Sequence, residues 1–268
     1  MNRRAPEIWI GDDPATLARE GARRVAEAAR RAIAARGRFV FVLSGGNTPR
    51  RLYRLLAAEE HGIDWRRVEF LFSDERMVPY DDPESNYRMV RETLLDHIPA
   101  APEHTHPIPT DCSPAEAAAA YEAELRRVLD PKEPRPDLVL LGMGADGHTA
   151  SIFPGSPLLE ECRDEETLPE GRPPRSSRSY REERLCVPVE DAPKPPHKRV
   201  TLTPYLINQG RQILVLVTGE DKVAAVSAAL ESDAEPSEIP IRAIAPESGV
   251  VSWLLDRKAA RALTNAPW

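Results

Sequence analysis

Residues 137–155, DLVLLGMGADGHTASIFPG, join an apolar run to a glycine-rich polar loop. The run 137–144 has the composition of a strand that is buried on both faces of a sheet. Three glycines then fall within six residues, and glycine marks tight turns or a close approach of the backbone to another group. Asp146 and His148 stand among them, and histidine is well suited to proton transfer near neutral pH. The stretch therefore predicts a strand that ends in a turn or in a substrate-facing loop.

Apolar runs of this kind alternate along the chain with segments of helical pattern. Further strands are predicted at 7–11, 38–44, 68–74 and 211–219, and helices at 14–37, 51–60, 86–98, 113–129, 220–231 and 254–263. This alternation predicts an α/β fold: an open, mostly parallel, doubly wound sheet with helices on both faces, in a Rossmann-like three-layer arrangement. No internal repeat is present, and we expect residues 1–268 to form a single domain.

Polar loops follow three of the predicted strands, after Ser44, Asp74 and Gly142. In an open α/β sheet, ligands bind outside the carboxyl ends of the strands. Three candidate loops in equivalent positions are stronger evidence for a site than any one of them. We therefore expect their polar side chains to face one cleft.

Composition excludes several classes of protein. The formal net charge of −7 disfavours general nucleic-acid binding, and no apolar run has the roughly 20 residues of a membrane helix. An anionic small-molecule substrate is compatible with this charge only if a local cationic pocket receives it. We expect no nucleic-acid or membrane partner, and a monomer or weak homodimer.

The cysteines and the N-terminal residues indicate a compartment. Cys112, Cys162 and Cys186 are odd in number and lack metal-ligand spacing, which favours reduced, inert thiols and no metal site. The opening MNRRAPEIWIG has no apolar segment of the kind found in secretory signals. The expected location is the cytoplasm.

The loop after the second strand has the composition of an anion site. It consists of Ser44, Gly45, Gly46, Asn47 and Thr48. Backbone N–H groups at the start of the following helix carry partial positive charge and can hold a phosphate. The loop lacks the lysine of a P-loop and the GxGxxG of a dinucleotide fold. It predicts a site for a sugar phosphate or similar anion, with ordinary helix capping as the alternative.

Charged residues near the other strand ends are the remaining candidates. Asp74 can orient sugar hydroxyls or a proton-transfer partner, and Arg76 offers a bidentate fork to a phosphate or an oxyanion, although a solvated turn has the same composition. Arg199 opens an apolar stretch. Lys222 lies in the first turn of a predicted helix, where a cation is mildly unfavourable, so a binding function competes there with simple solvation. His148 is the candidate general base on a water.

The segment 161–184 differs from its surroundings. It is charged, contains proline and serine, and has no apolar periodicity. A surface insertion is the plain interpretation, and a lid whose arginines meet the substrate is the alternative.

These motifs resemble one known family. The chain resembles the 6-phosphogluconolactonases, sugar-phosphate lactonases of the pentose phosphate pathway, from about residue 7 to residue 263. The stretches that carry the resemblance are LSGGNTPRRLY, SDERMVPYDDPESNYRM, LGMGADGHTASIFPG, PKPPHKRVTLTP and GVVSWLLD. The same superfamily contains glucosamine-6-phosphate deaminases, which share a Gly-Gly loop and a D-G-H.

The resemblance implies a function for each candidate residue. The substrate phosphate would lie on the loop Gly45–Thr48, aided by Arg199 and Lys222, and Asn47 stands where serine is usual. His148 would remove a proton from the water that attacks the lactone carbonyl.

The remaining implied functions concern the charged neighbours of this base. Asp146 and Asp74 would orient the histidine, the water or the sugar hydroxyls. Arg76 would stabilise the tetrahedral intermediate or bind the phosphate. No metal or organic cofactor is implied.

Two other functions remain open. The deaminase pattern continues after the histidine as I-A-F-N-E-P, whereas this chain has TASIFPG and no glutamate there. That difference favours the lactonase over a ring-opening deaminase or isomerase. A non-catalytic sugar-phosphate sensor would keep the pocket, but binding alone would not require His148 and Asp74.

Overall fold

The structure is a computed structural model that describes residues 5–59, 61–130, 134–162 and 183–264. Its strands are β1 Glu7–Gly11, β2 Phe39–Leu43, β3 Val68–Phe72, β4 Asp74–Arg76, β5 Leu138–Gly142, β6 Cys186–Val189, β7 Arg199–Leu202, β8 Gln212–Val217 and β9 Val250–Asp256. Its α-helices are α1 Pro14–Arg36, α2 Asn47–Ala58, α3 Asn86–Thr93, α4 Pro114–Val128, α5 Pro204–Asn208 and α6 Val223–Glu231. Of the predicted insertion, residues 163–182 lie outside the described residues.

Six strands form the predicted parallel sheet, in the order β1-β9-β8-β5-β2-β3. The chain leaves β2 toward β3 on one side and later places β5 on the other side of β2. The strand order therefore changes direction between β2 and β5. A crevice forms at the carboxyl ends of strands at such a point.

Both faces of the central strands are covered. Neighbouring residues of a strand point to opposite faces, and every residue of β2 is buried, with at most 3% exposure at Val40. Helix α1 packs on β2, β8 and β9 and also contacts α2, where Gly21 lies against Leu52. The apolar residues of the sheet and its helices form one core, in agreement with the predicted three-layer α/β fold.

A second, three-stranded antiparallel sheet in the order β4-β7-β6 was not predicted. The segment 68–74 was predicted as a single strand, but the chain turns at Ser73 and its next residues pair with β7. The backbone of Ser73 connects the two sheets, since its N–H donates to Leu43 O at 2.8 Å and its carbonyl accepts from Leu202 N at 2.8 Å. This small sheet brings Asp74 and Arg76 to the crevice.

The predicted helix at 254–263 is wrong. Leu254, Leu255 and Asp256 belong to β9, which lies between β8 and β1 and pairs in parallel with both. A short apolar run fits a buried strand as well as a helix, and the two neighbouring strands decide the outcome here. Residues 257–262 form turns.

Smaller differences concern helix ends. Helix α2 begins at Asn47 instead of residue 51, because Gly46 serves as its N-cap. Helix α3 ends at Thr93 and is followed by a short 3-10 turn, Leu95–His97. In the described part of the chain, none of the helices has the length and apolar character needed to cross a bilayer.

Candidate active site

A cleft of about 460 Å³ opens at the carboxyl ends of β2, β5 and β8. The predicted site residues that line it are Ser44, Gly45, Gly46, Asn47, Thr48, Asp74, Arg76, His148, Arg199 and Lys222. Asp146 is the one predicted site residue outside this lining, and it contacts His148 from behind. The three loops predicted to converge therefore do so.

His148 and Asp146 form a hydrogen-bonded pair between Nδ1 and Oδ1. Burial opposes the charged form of Asp146, but hydrogen bonds from Lys194 and His148 outweigh it and hold the pKa of Asp146 below its ordinary value. An ionised carboxylate only accepts hydrogen bonds, so Nδ1 of His148 carries the proton. In the neutral ring, Nε2 then has a free lone pair, and it has no hydrogen-bond partner among the described residues.

Burial lowers the pKa of His148 against the opposing effect of Asp146. Part of this burial comes from Phe153, whose ring centroid lies 4.6 Å from that of the imidazole. The guanidinium of Arg199 lies 5.4 Å from the centroid of the same phenyl ring. The imidazole is therefore neutral at neutral pH and can accept a proton.

The side chains of His148 and Asp146 lie so close to the backbone at position 144 that only glycine fits there. A Cβ at this position would lie 2.0 Å from Nδ1 of His148 and 2.4 Å from Oδ1 of Asp146. The backbone N–H of Gly144 also donates to His148 O at 2.8 Å. The glycine between strand and histidine thus lets the loop fold back on itself.

Asp74 is 6% exposed and belongs to a network that joins three loops. Its Oδ2 accepts a hydrogen bond of 2.7 Å from Ser151 Oγ, three residues after the histidine. Its backbone carbonyl accepts from Asn86 Nδ2 at 2.9 Å. Gly45 packs so closely on Asn86 that an added Cβ would lie 1.9 Å from the amide oxygen. The loop after β2, the start of α3 and the histidine loop are therefore held together through Asp74.

Arg76 and Arg199 are directly opposite each other in the antiparallel pair of β4 and β7. Opposed residues of such a pair lie on the same face, so both guanidinium groups face the cleft. Arg199 is 4% exposed, and burial lowers its pKa. Nε of Arg76 is buried and has no hydrogen-bond partner among the described residues. Two adjacent cations with a spare donor form a local positive pocket in a protein of net charge −7.

The predicted anion loop has the geometry of an uncapped helix start. Gly46 is the N-cap of α2, with a φ of 97° that glycine adopts readily, and no side chain caps the helix. Asn47 is the first helical residue. The hydroxyl of Thr48 hydrogen-bonds that of Thr218 at 2.9 Å, which ties the loop to the end of β8.

Lys222 ends a short 3-10 turn, Glu220–Lys222, that precedes α6. Its side chain is 22% exposed and pairs with Asp221 at 2.9 Å. Both residues line the cleft, so the lysine is neither freely solvated nor without a counter-charge.

Comparisons with known proteins identify the family of this chain. A family model described as glucosamine-6-phosphate isomerases/6-phosphogluconolactonase matches residues 12–253. The chain belongs to this family. A 6-phosphogluconolactonase of Mycobacterium tuberculosis is 35% identical over 265 residues, covering 96% of this chain and 98% of the relative. The human 6-phosphogluconolactonase is 36% identical over 234 residues, with 86% and 83% covered.

A solved structure supports the same assignment. The 6-phosphogluconolactonase of Trypanosoma brucei superposes with a TM-score of 0.80 at 31% identity, covering 98% of this chain and all of that one. The fold of this chain thus matches that of the Trypanosoma brucei protein over nearly its whole length.

Several residues around the family's cleft were not singled out from sequence. They are Glu75, Asn86, Phe153, Lys194 and Thr218. Phe153 follows the histidine within five residues, and Asn86 begins a helix after a polar loop, so position was an available signal for these two. Nothing in the local sequence separates Lys194 from other loop lysines.

In the described ranges, no three histidine, cysteine or carboxylate side chains are grouped as metal ligands would be.

Proposed function

We propose that this family member hydrolyses 6-phospho-D-glucono-1,5-lactone to 6-phospho-D-gluconate, the second step of the oxidative pentose phosphate pathway. The observation that carries the proposal is the neutral His148, hydrogen-bonded at Nδ1 to Asp146, in the same cleft as the Arg76–Arg199 pair. Such a site provides a base that can take a proton from water and a cationic pocket that can bind a phosphate. The names of the relatives, both 6-phosphogluconolactonases at about one-third identity, support the same substrate.

In the proposed reaction, Nε2 of His148 takes a proton from water as its oxygen attacks C1 of the lactone. The carbonyl electrons move to the oxygen and form an anionic tetrahedral intermediate. When that intermediate collapses, the bond from C1 to the ring oxygen breaks and the imidazolium returns its proton to the leaving oxygen. General base catalysis contributes typically about 10²–10⁴-fold.

The phosphate is proposed to bind at the cationic side of the cleft. The N–H groups at the start of α2 carry no side-chain cap, and Lys222 lies at the same cleft. Arg199 and its neighbour Arg76 supply positive charge, and Nε of Arg76 has no other hydrogen-bond partner among the described residues. We assign Arg76 to the phosphate because it lies beside Arg199. Holding the distant phosphate fixes the ring over the base and reduces the entropy lost in the reaction.

Asp74 is proposed to orient the substrate. It is buried, and its oxygens accept from Ser151 and Asn86, so its position is fixed before substrate binds. A fixed carboxylate at the cleft can accept hydrogen bonds from sugar hydroxyls or from the attacking water.

A coupled assay on freshly formed lactone tests the proposal. We expect product to appear well above the rate of spontaneous ring opening, with little acceleration for the unphosphorylated lactone. Ammonia release from glucosamine-6-phosphate would instead identify a deaminase. Binding of 6-phosphogluconate without turnover would identify a sensor.

A further inference from the structure

The carboxylate of Asp146 binds both the candidate base and a lysine. Oδ1 of Asp146 accepts from Nδ1 of His148, while Oδ2 accepts from Nζ of Lys194 at 2.9 Å. Lys194 lies 48 residues away along the chain, in the loop that joins β6 to β7. Each carboxylate oxygen thus has its own partner, and rotation of the carboxylate would break both contacts.

The backbone that carries Lys194 is held from inside the cleft. The guanidinium of Arg199 donates to the carbonyl of Lys194 at 2.9 Å and to that of Pro196 at 2.8 Å. The loop is closed by a hydrogen bond of 2.9 Å from Ala192 N to His197 O. A half-exposed lysine on a free loop would sample many positions, but here its backbone is fixed by a buried arginine. The contact with Asp146 is therefore a built feature of the loop.

We propose that Lys194 is a positioning residue for His148: it holds Asp146 ionised and in the orientation that keeps the proton on Nδ1 and leaves Nε2 free. The kinetic effects expected from this inference rest on the proposed hydrolysis. Lys194 does not line the cleft, so it acts through Asp146 and not on the substrate.

The electrostatic effect of Lys194 on the imidazole has a definite sign. Among the described residues, the charged groups with the largest effect on His148 are Asp146 and Asp74, which favour the imidazolium, and Lys194, which disfavours it. Arg199 lies on the far side of Phe153. Without the positive charge of the lysine, less opposes the stabilisation of the imidazolium by the two carboxylates. The imidazolium therefore becomes easier to form. Nε2 would then be protonated up to a higher pH, and the base would be lost sooner on acidification.

Three variants test the inference. Lys194→Met removes the charge at similar length, and Lys194→Arg keeps it. Lys198→Met removes an exposed charge from the same loop, at a position with no contact to Asp146, and is the matched control. The readout is the NMR titration of the His148 ring, identified by its absence from the spectrum of His148→Ala. This readout needs no substrate, so it stands or fails separately from the proposed activity.

We expect the titration midpoint of His148 to rise by about half a pH unit in Lys194→Met, since the ion pair is partly exposed and screened. Lys194→Arg and Lys198→Met should keep the wild-type midpoint. The acidic limb of kcat/KM should move in the same direction, with kcat on the plateau reduced by at most about fivefold. An unchanged or lowered midpoint in Lys194→Met would overturn the inference. An equal shift in Lys198→Met would also overturn it, because general surface charge would then explain the effect.

Discussion

The phenol of Tyr53 forms two hydrogen bonds with the backbone of Ser44, accepting from its N–H at 3.0 Å and donating to its carbonyl at 2.9 Å. Tyr121 makes the same pair of contacts with Phe72, at 2.7 Å and 3.1 Å. Both tyrosines are fully buried, and burial raises their pKa values. Each tyrosine satisfies the backbone hydrogen-bonding groups where a strand of the parallel sheet ends and a site loop begins.

This arrangement predicts a difference between Tyr53→Phe and Tyr121→Phe. Each change leaves a buried N–H and carbonyl unpaired and should lower the free energy of unfolding by about 1–3 kcal/mol. Because Ser44 opens the proposed phosphate loop, Tyr53→Phe should also raise KM by severalfold, while Tyr121→Phe should leave KM nearly unchanged. Denaturant unfolding and steady-state kinetics measure the two effects. Equal changes in KM would show that the loop does not depend on Tyr53.

Removing the base should affect turnover more than binding. His148→Ala should lower kcat by roughly 10²–10⁴-fold with little change in unfolding free energy, since the ring lies at a cleft and not in the core. The assay must be corrected for spontaneous opening of the lactone. Near-normal kcat in this variant would remove His148 from the mechanism.

Gly144→Ala should separate His148 from Asp146. The new methyl group would overlap both side chains, so the hydrogen bond between them should be lost and kcat should fall. Gly142→Ala is the structural control, because no atom lies within 4 Å of its added Cβ. The NMR signal of the Nδ1 proton should disappear in the first variant and persist in the second. Its persistence in Gly144→Ala would contradict the geometry described for the pair.

Removing Arg76 should weaken substrate binding with little effect on stability. Arg76→Met removes one of two like charges that oppose each other across β4 and β7, but it also removes a hydrogen bond of 2.6 Å to the carbonyl of Glu84, so the stability of the unliganded protein should change little. KM should nevertheless rise by about tenfold, since a charge-assisted phosphate contact is lost. Lys222→Met should also raise KM more than it lowers kcat. If Arg76→Met instead lowers kcat at constant KM, the residue stabilises the oxyanion and does not bind phosphate.

Glu75 should make stability depend on pH. It is 1% exposed and accepts backbone hydrogen bonds from Arg76, Asn86 and Tyr87 at the start of α3. Burial raises its pKa from 4.5 to about 7. A raised carboxyl pKa means that the folded state binds the proton more tightly, so this stabilisation is complete below pH 4.5 and is lost as pH rises toward 7.

We expect this contribution of Glu75 to be on the order of 3 kcal/mol across that interval. Glu75→Gln should abolish this part of the decline, whereas Glu103→Gln, at an exposed glutamate, should retain it. Unfolding free energies measured from pH 4.5 to 7.5 provide the comparison. A decline of the same size in Glu75→Gln would assign it to another group.

Much of the site was predictable because its parts are local in sequence. The strand 137–144 leads directly into the loop that holds Asp146 and His148, and parallel strands place their carboxyl ends at one edge. The apolar runs indicated the sheet, and the loop residues indicated an anion and a base. The expectations of a monomer or weak homodimer and of a cytoplasmic location remain predictions.

The amino-acid sequence by itself determined which segments are buried strands and which polar loops end them, because periodicity and composition report the environment of each residue. Tertiary structure alone decided that 250–256 is a strand between two parallel neighbours, that Ser151 reaches Asp74 across 77 residues, and that Lys194 reaches Asp146. Pairings of this kind depend on strand order and on the turn at Ser73. Neither leaves a local signal, because the free energy that selects them comes from packing the whole core.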